Sequence, residues 1–184
     1  MGLQATLYHL QIELSDVDRG VYESLDLRLA RHPSESMAHL LARTIAYALL
    51  YEEGIAFSKG GLSSSDEPAL AVRDLQGTLR CWIEIGTPSA ERLHKAAKAS
   101  PRVEVVTHHD PRLLHREAAS RPIHKADLIE ITVLDPRFLE RLGELTERNA
   151  RWTLLRHDGE LTVTVGTQVV SGPVTRRPLM EPGP

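Results

Sequence analysis

The sequence predicts an α/β fold in which helices flank a mixed β-sheet. Near the start of the chain apolar and polar residues alternate, which is the period of a strand with one covered face. Between residues 33 and 107 the periodicity gives the order helix, strand, strand, helix, strand, and the last helix resembles a crossover between parallel strands. The 184 residues are 41% hydrophobic and 26% charged. This composition is typical of a globular chain that buries a core.

The first element is a predicted β-hairpin. Residues 8–14 alternate apolar and polar side chains, which indicates a strand. Residues 15–20 are rich in turn-forming types, and residues 25–30 again alternate leucine with polar or small residues. The second strand is therefore expected to return beside the first.

A helix is predicted after this hairpin. Pro33 and Ser34 mark a break and an N-cap, and apolar residues then recur at helical spacing from Met37 to Leu49. Gly54 supplies a C-terminal stop signal. This segment has the clearest helical pattern in the chain.

Two short strands joined by a tight turn are predicted next. A loop rich in glycine and serine covers residues 58–66 and leads to a strand at residues 70–73. Residues 74–77 form the turn, and residues 78–86 form a strand with an aliphatic row on one face. Glu84 is expected on the opposite face.

The second half of the chain continues the α/β pattern. The predicted elements are a helix opened by Thr87-Pro88, a strand at residues 103–106, helices starting at Asp110-Pro111 and Asp135-Pro136, a strand at residues 128–134, and a hairpin at residues 152–165 that turns at Asp158-Gly159. No domain boundary is visible. We therefore expect one domain over residues 1–170 and a proline-rich tail without regular structure over residues 171–184.

Composition excludes several classes of protein. The formal net charge of -3 argues against a generic polyanion binder, so a nucleic-acid ligand would need a local basic patch. The single cysteine, Cys81, excludes an internal disulfide framework and a cysteine-rich zinc site. No signal peptide or spanning segment is evident, so no membrane association and a cytoplasmic location are expected.

Acidic residues suggest one candidate site. Glu35 lies near the start of the first helix, Asp66 and Glu67 precede one predicted strand, and Glu84 ends the next. A tight hairpin brings the far ends of its two strands together, so Asp66 or Glu67 can lie close to Glu84. Paired carboxylates suit Mg²⁺, and Lys95 in the next helix could stabilise developing charge. This pattern is compatible with hydrolysis of phosphodiesters.

A purely structural interpretation stays open beside it. The two acids at residues 66 and 67 could be solvated loop residues, and Glu84 could pair with Arg80 on its own strand face. Glu91 lies four residues before Lys95, which is a common surface pairing on helices.

Other catalytic classes find no support. None of the nine histidines lies in a His-Glu-x-x-His pattern, and the chain has no phosphate-binding Gly-Lys-Thr loop and no Gly-x-Ser-x-Gly elbow. Cys81 alternates with core residues, which indicates a buried thiol and not a nucleophile.

Four runs in fixed order resemble the bacterial YaeQ family. They are residues 31–35 (RHPSE), 61–68 (GLSSSDEP), 74–77 (DLQG) and 82–88 (WIEIGTP). The resemblance extends as far as Val165. It implies a restriction-endonuclease-like core in a YaeQ-type variant of the PD-(D/E)xK nuclease superfamily. The family is functionally uncharacterised, so the resemblance implies no established activity.

The resemblance also implies roles for single residues. Asp66 resembles the aspartate of the superfamily motif, Glu84 its second acid, and Glu35 an additional helix glutamate, together ligands for Mg²⁺ or Mn²⁺. A typical member has lysine two residues after the second acid, where this chain has Gly86. Lys95 would then supply the catalytic amine from the following helix.

Three functions follow as hypotheses. The first is a metal-dependent nuclease, and the second is a non-catalytic module that binds nucleic acid or a protein partner in the same cleft. The third is a structural role for the acids. Basic residues around the two strands and the helix are expected to support binding of a polyanion; the candidates are Arg73, Arg80 and Lys98. Glu67 is a further acidic candidate for the site.

Overall fold

The computed structural model describes residues 4–59 and 66–180 of the chain. These residues form a mixed α+β fold in which most strand pairs are antiparallel. The predicted mixture of sheet and helices is confirmed. The strands are β1 (Thr6–Asp16), β2 (Val21–Arg31), β3 (Ile55–Phe57), β4 (Leu70–Arg73), β5 (Leu79–Ile85), β6 (Val103–Thr107), β7 (Glu130–Leu134), β8 (Asn149–His157), β9 (Glu160–Val165) and β10 (Gln168–Pro178), and the helices are α1 (Met37–Leu49), α2 (Ala90–Ala99), α3 (Arg112–Ser120) and α4 (Pro136–Leu145).

The chain divides into two compact units. Unit 1 comprises Met1–Tyr51 and Leu134–Val174, and unit 2 comprises Glu52–Val133 and Thr175–Pro184. The strand β10 therefore begins in unit 1 and ends in unit 2. Among the described residues, the helices are all too short or too polar to cross a membrane.

The sheet of unit 1 has the strand order β2-β1-β8-β9-β10. Strands β1 and β2 pair antiparallel over their full length, from Thr6 opposite Arg31 to Asp16 opposite Val21. Strand β1 pairs in parallel with β8, and β8 returns antiparallel as β9. Both predicted hairpins are confirmed by these antiparallel pairings. Alternating residues place one apolar row of each strand on the same covered face.

Helices α1 and α4 pack against each other in unit 1. A side chain at Gly143 of α4 would lie 3.3 Å from Met37 of α1, so the glycine permits the close approach. The Asp135 carboxylate accepts a hydrogen bond from the Arg137 N–H at 3.0 Å and caps α4, as the Asp-Pro signal predicted.

The N-cap of α1 differs from the prediction. The cap is Ser36, whose Oγ accepts a hydrogen bond from the His39 N–H at 3.1 Å. The Ser34 hydroxyl contacts the His32 ring at 2.6 Å instead. The helix therefore begins two residues later than the Pro-Ser signal indicated.

The prediction that residues 171–184 lack regular structure is wrong for the part that the structure describes. Strand β10 continues to Pro178 and pairs with β9 as far as Pro173 opposite Glu160. Gly172 interrupts the apolar pattern for a packing reason, since a Cβ there would lie 2.6 Å from Cβ of Phe138. Residues 181–184 lie outside the described part of the chain.

Unit 2 contains a sheet with the order β7-β6-β5-β4-β3. Strands β5, β6 and β7 are parallel, as the predicted crossover requires, and β3, β4 and β5 are antiparallel. The three-residue β3 was missed, because three residues carry no readable period. Helices α2 and α3 contribute to one core cluster with the sheet, which includes Trp82, Leu93, Val105, Leu114 and Ile131.

Candidate functional site

The candidate site lies in unit 2, where residues that precede β4 and the end of β5 contact α2. Helix α2 begins at Ala90, after Ser89 accepts a hydrogen bond from the Arg92 N–H at 3.2 Å. The Ala90 N–H donates to the Glu117 carboxylate of α3 at 2.9 Å. Arg92 and Lys95 are three residues apart on this helix, so their side chains leave the same side.

Glu84 is buried, with 5% of its surface exposed. Its Oε1 accepts a hydrogen bond from the Trp82 indole Nε1 at 2.5 Å and an ion-pair contact from Arg92 Nε at 2.8 Å. The Arg92 guanidinium also lies 5.9 Å from the centre of the Trp82 ring. Charge pairing and a cation–π contact therefore fix both Glu84 and Arg92.

Asp66 forms an ion pair with Lys95; the Asp66 side chain is mostly exposed and the Lys95 side chain is half exposed. The hydrogen bond from Lys95 and its charge hold the pKa of Asp66 below the ordinary aspartate value. Arg92 also donates from Nη2 to the backbone carbonyl of Glu67 at 2.8 Å. Helix α2 thus ties the start of the β4 segment to the end of β5.

The Glu67 side chain contacts Ser58, which follows β3. Its carboxylate accepts a hydrogen bond from the Ser58 hydroxyl at 2.5 Å. Residues 60–65, which contain most of the predicted glycine- and serine-rich loop, lie outside the described residues.

Glu35, the third proposed metal ligand, lies in unit 1. Arg43 donates to both carboxylate oxygens, from Nε at 2.7 Å and from Nη2 at 3.0 Å. The Nδ1 of His39 lies 2.8 Å from Oε1, and the His32 N–H donates to Oε2 at 3.3 Å. Burial raises the pKa of Glu35, but the bonds to His39 and Arg43 outweigh it and leave the pKa below the ordinary value.

These contacts decide how well the acids suit a metal ion. Over residues 4–59 and 66–180, no three histidine, cysteine, aspartate or glutamate side chains gather in a way that could hold one. Asp66 and Glu84 each engage a cation of α2, and the Glu35 carboxylate is occupied by its own partners. In this arrangement the carboxylates of Asp66, Glu84 and Glu35 each pair with a basic side chain.

Comparison with known proteins assigns the chain to a family. The family described as YaeQ protein matches residues 1–173. The chain belongs to the YaeQ family. The uncharacterised YaeQ protein of Escherichia coli strain K12 is 28% identical over 161 residues, which cover 86% of this chain and 88% of that protein. The YaeQ protein of Salmonella typhi, also uncharacterised, is 29% identical over 163 residues, covering 88% of this chain and 89% of that protein.

Solved YaeQ structures share the fold. The crystal structure of the YaeQ protein from Xanthomonas axonopodis pv. citri has a TM-score of 0.83 and 31% identity, covering 95% of this chain and 98% of that one. The YaeQ protein from Pseudomonas syringae gives the same score and identity, with 97% of each chain covered.

Gly86 of this YaeQ chain has a backbone reason to be glycine. Its φ is +95°, in the left-handed region that side chains rarely adopt, and its N–H donates to the Val106 carbonyl at 2.9 Å. A lysine at this position would be strained. The amine of Lys95 reaches Asp66 from α2 instead.

The basic residues proposed as support play different parts in the YaeQ chain. Arg80 pairs with Asp74 at 2.7 Å, not with Glu84, and Arg73 donates to the Gly77 carbonyl at 3.3 Å. Both stabilise the turn between β4 and β5. Lys98 is exposed on the last turn of α2.

The surface pairing of Glu91 with Lys95 is also absent from the contacts of these residues. Glu91 lies 3.6 Å from Arg121, while Lys95 pairs with Asp66. Lys95 therefore contacts the segment that precedes β4.

Sequence reasoning missed Arg92, which joins three parts of the site. A signal was present, because Arg92 precedes Lys95 by one helical turn and Trp82 precedes Glu84 by two residues on the same strand face. Only the structure shows that these two pairs meet.

Proposed function

We propose that this YaeQ chain binds phosphodiester groups of a nucleic acid through Arg92 and Lys95. The observation that carries the proposal is that these two cations stand one turn apart on α2, each held by its own carboxylate. Side chains that are already oriented lose less conformational entropy when they bind. Arginine and lysine are also the usual donors to phosphate oxygens.

The distribution of charge supports this proposal. Basic and acidic residues are equal in number in unit 2, so the net charge of -3 belongs to unit 1. The overall negative charge therefore does not describe the surroundings of α2. The Lys95 side chain is half exposed and the Arg92 side chain one quarter exposed, so part of each side chain is open to solvent.

The test is fluorescence anisotropy with labelled single-stranded DNA, double-stranded DNA and RNA, at low salt and with a metal chelator present. We expect saturable binding that weakens as salt rises. The double variant Arg92→Gln/Lys95→Gln should bind about 10-fold or more weakly. The slope of log affinity against log salt concentration should become shallower by about one to two, which corresponds to the loss of one or two phosphate contacts.

The control is Lys98→Gln, which removes one charge from the same helix and should change the affinity much less. The midpoint of thermal unfolding of every variant should lie within a few degrees of that of the parent protein. If no nucleic acid binds saturably, or if the Lys98 variant loses as much affinity as the double variant, the proposal is wrong.

Metal-dependent cleavage of phosphodiesters is the second candidate. One observation favours it: Asp66 and the buried Glu84 pair with Lys95 and Arg92 of α2. Asp66, Glu84 and Lys95 are the acids and the amine expected for a variant of the PD-(D/E)xK superfamily. Mg²⁺ or Mn²⁺ would have to displace Lys95 and Arg92 from the two carboxylates. We therefore expect slow cleavage that requires a high metal concentration.

Incubation of labelled DNA and RNA with Mn²⁺ tests this second candidate. Cleavage by the parent protein that is lost in Glu84→Gln and kept in Glu13→Gln, an exposed glutamate of unit 1, would support catalysis. If the substrate stays intact in every reaction and binding persists in chelator, the cleavage function is wrong and only the binding function remains.

A further inference from the structure

Strand β2 is the outermost strand of the unit 1 sheet. It has eleven residues, contains no proline, and keeps an unbroken register with β1. Proteins usually shorten, bend or cover such edges, because an open row of backbone groups pairs with another strand. The outermost strand of unit 2, β3, has only three residues.

The register shows which backbone groups face outward. The His9 N–H of β1 donates to the Arg148 carbonyl, on the β8 side, at 2.6 Å. Backbone groups alternate sides along a strand, so the even-numbered residues of β1 bond to the odd-numbered residues of β2. Ser24, Asp26 and Arg28 therefore direct their N–H and C=O groups away from β1.

The side chains along this edge carry opposite charges at equal distances on the two sides of Leu27. Acidic Glu23 and Asp26 lie before Leu27, and basic Arg28 and Arg31 follow it at mirrored distances. We propose that β2 pairs antiparallel with β2 of a second copy of this chain, with Leu27 on the two-fold axis. Each Asp26 then lies opposite Arg28 of the second copy.

The same register matches the remaining residues of the strand. Glu23 lies opposite Arg31 of the second copy, and Leu25 lies opposite Leu29. The aliphatic row of β2 thus continues into the aliphatic row of the other copy. A C2 contact of this kind is closed, because the same patch serves both copies.

Neighbouring registers are disfavoured by charge. The outward groups belong to even-numbered residues, so the strands can slip only in steps that keep these residues paired. One slip places Asp26 opposite Asp26, and the slip in the other direction places Arg28 opposite Arg28. Like charges directly opposite each other destabilise a strand pair. The charge order therefore selects the pairing centred on Leu27.

The groups that pair are accessible. The side chains of Asp26 and Arg28 are 56% and 79% exposed. Asp26 also contacts His9 Nε2 at 2.7 Å, and Arg28 Nε lies 4.0 Å from the same carboxylate oxygen. The Ala30 carbonyl accepts a hydrogen bond from Arg43 Nη2 at 3.1 Å, so the new ladder ends there.

Sedimentation velocity of the whole chain over a concentration series tests the pairing. We expect a monomer–dimer equilibrium in the parent protein. Asp26→Arg and Arg28→Asp each place two pairs of like charges in the interface and should raise the dissociation constant about 10-fold or more. Mixing these two variants should restore dimers, because each charge then meets its opposite.

The matched control is Arg151→Asp, which reverses an exposed charge on β8 away from the edge and should leave the dissociation constant unchanged. The double variant Asp26→Arg/Arg28→Asp should dimerise like the parent. A parent that stays monomeric at its solubility limit, or dimers that ignore both charge reversals, would overturn the proposal.

Discussion

Replacement of Glu35 by alanine is expected to lower the free energy of unfolding by about 3–5 kcal/mol, the usual loss when one partner of a buried ion pair is removed. The Arg43 side chain is only 8% exposed and would keep its charge without the carboxylate that neutralises it. Urea denaturation of the variant and the parent at neutral pH measures the loss. A difference below about 1 kcal/mol would contradict the buried pair.

Two controls separate this effect from a general cost of substitution. Glu144→Ala removes an exposed glutamate of α4 and should change stability by no more than about 0.5 kcal/mol. The double variant Glu35→Ala/Arg43→Ala should be destabilised by less than the sum of the two single variants, because each single variant leaves the other charge of the pair buried and the double variant removes both.

The stability contributed by Glu35 should also depend on pH. Its pKa in the folded chain lies below the ordinary value of 4.5. The contribution is therefore complete above pH 4.5 and is lost as pH falls through the lower folded value. Denaturation of the parent and of Glu35→Gln across this range should converge toward acid pH. A constant difference between them would show that another group is responsible.

Gly54→Ala is expected to destabilise the chain by about 3 kcal/mol or more, through strain and overpacking together. Gly54 has a φ of +92°, and a Cβ there would lie 2.0 Å from the backbone carbonyl oxygen of Arg73. The Arg73 N–H donates to the Gly54 carbonyl at 3.1 Å, so the two backbone segments are held close together. Urea denaturation again gives the measurement.

Gly77→Ala is the matched control for this prediction. Gly77 has a φ of +83°, but a Cβ there would meet nothing within 4 Å. Its alanine variant should show only the conformational cost, about 1–2 kcal/mol. Equal losses at the two positions would mean that the close approach of Gly54 to Arg73 has no energetic weight.

The sequence predicts most elements of this fold because their patterns are local. The hairpin of β1 and β2 follows from alternation, and α4 follows from Asp135 and Pro136 at its start. The missed parts depend on tertiary contacts. The end of β10 was hidden by Gly172 and Pro173, and the glycine is needed where the strand passes Phe138.

The candidate site shows the same division. The sequence identified Asp66, Glu84 and Lys95, and the structure places the two acids against cations of α2. The sequence alone could not identify Arg92, because an arginine in a helix of mixed charge resembles any solvated position. The choice of partner for Glu84 is set by packing between β5 and α2, which no local pattern records.

Each of the two compact units contains one of the two tryptophans of the chain. Trp152 is buried in unit 1, and Trp82 of unit 2 donates its indole N–H to Glu84 beside Arg92. Indole emission responds to nearby charge and hydration. The chain therefore carries an intrinsic optical probe of the candidate site. A ligand that draws Arg92 away from Glu84 should change the emission of Trp82 in a Trp152→Phe background without any attached label.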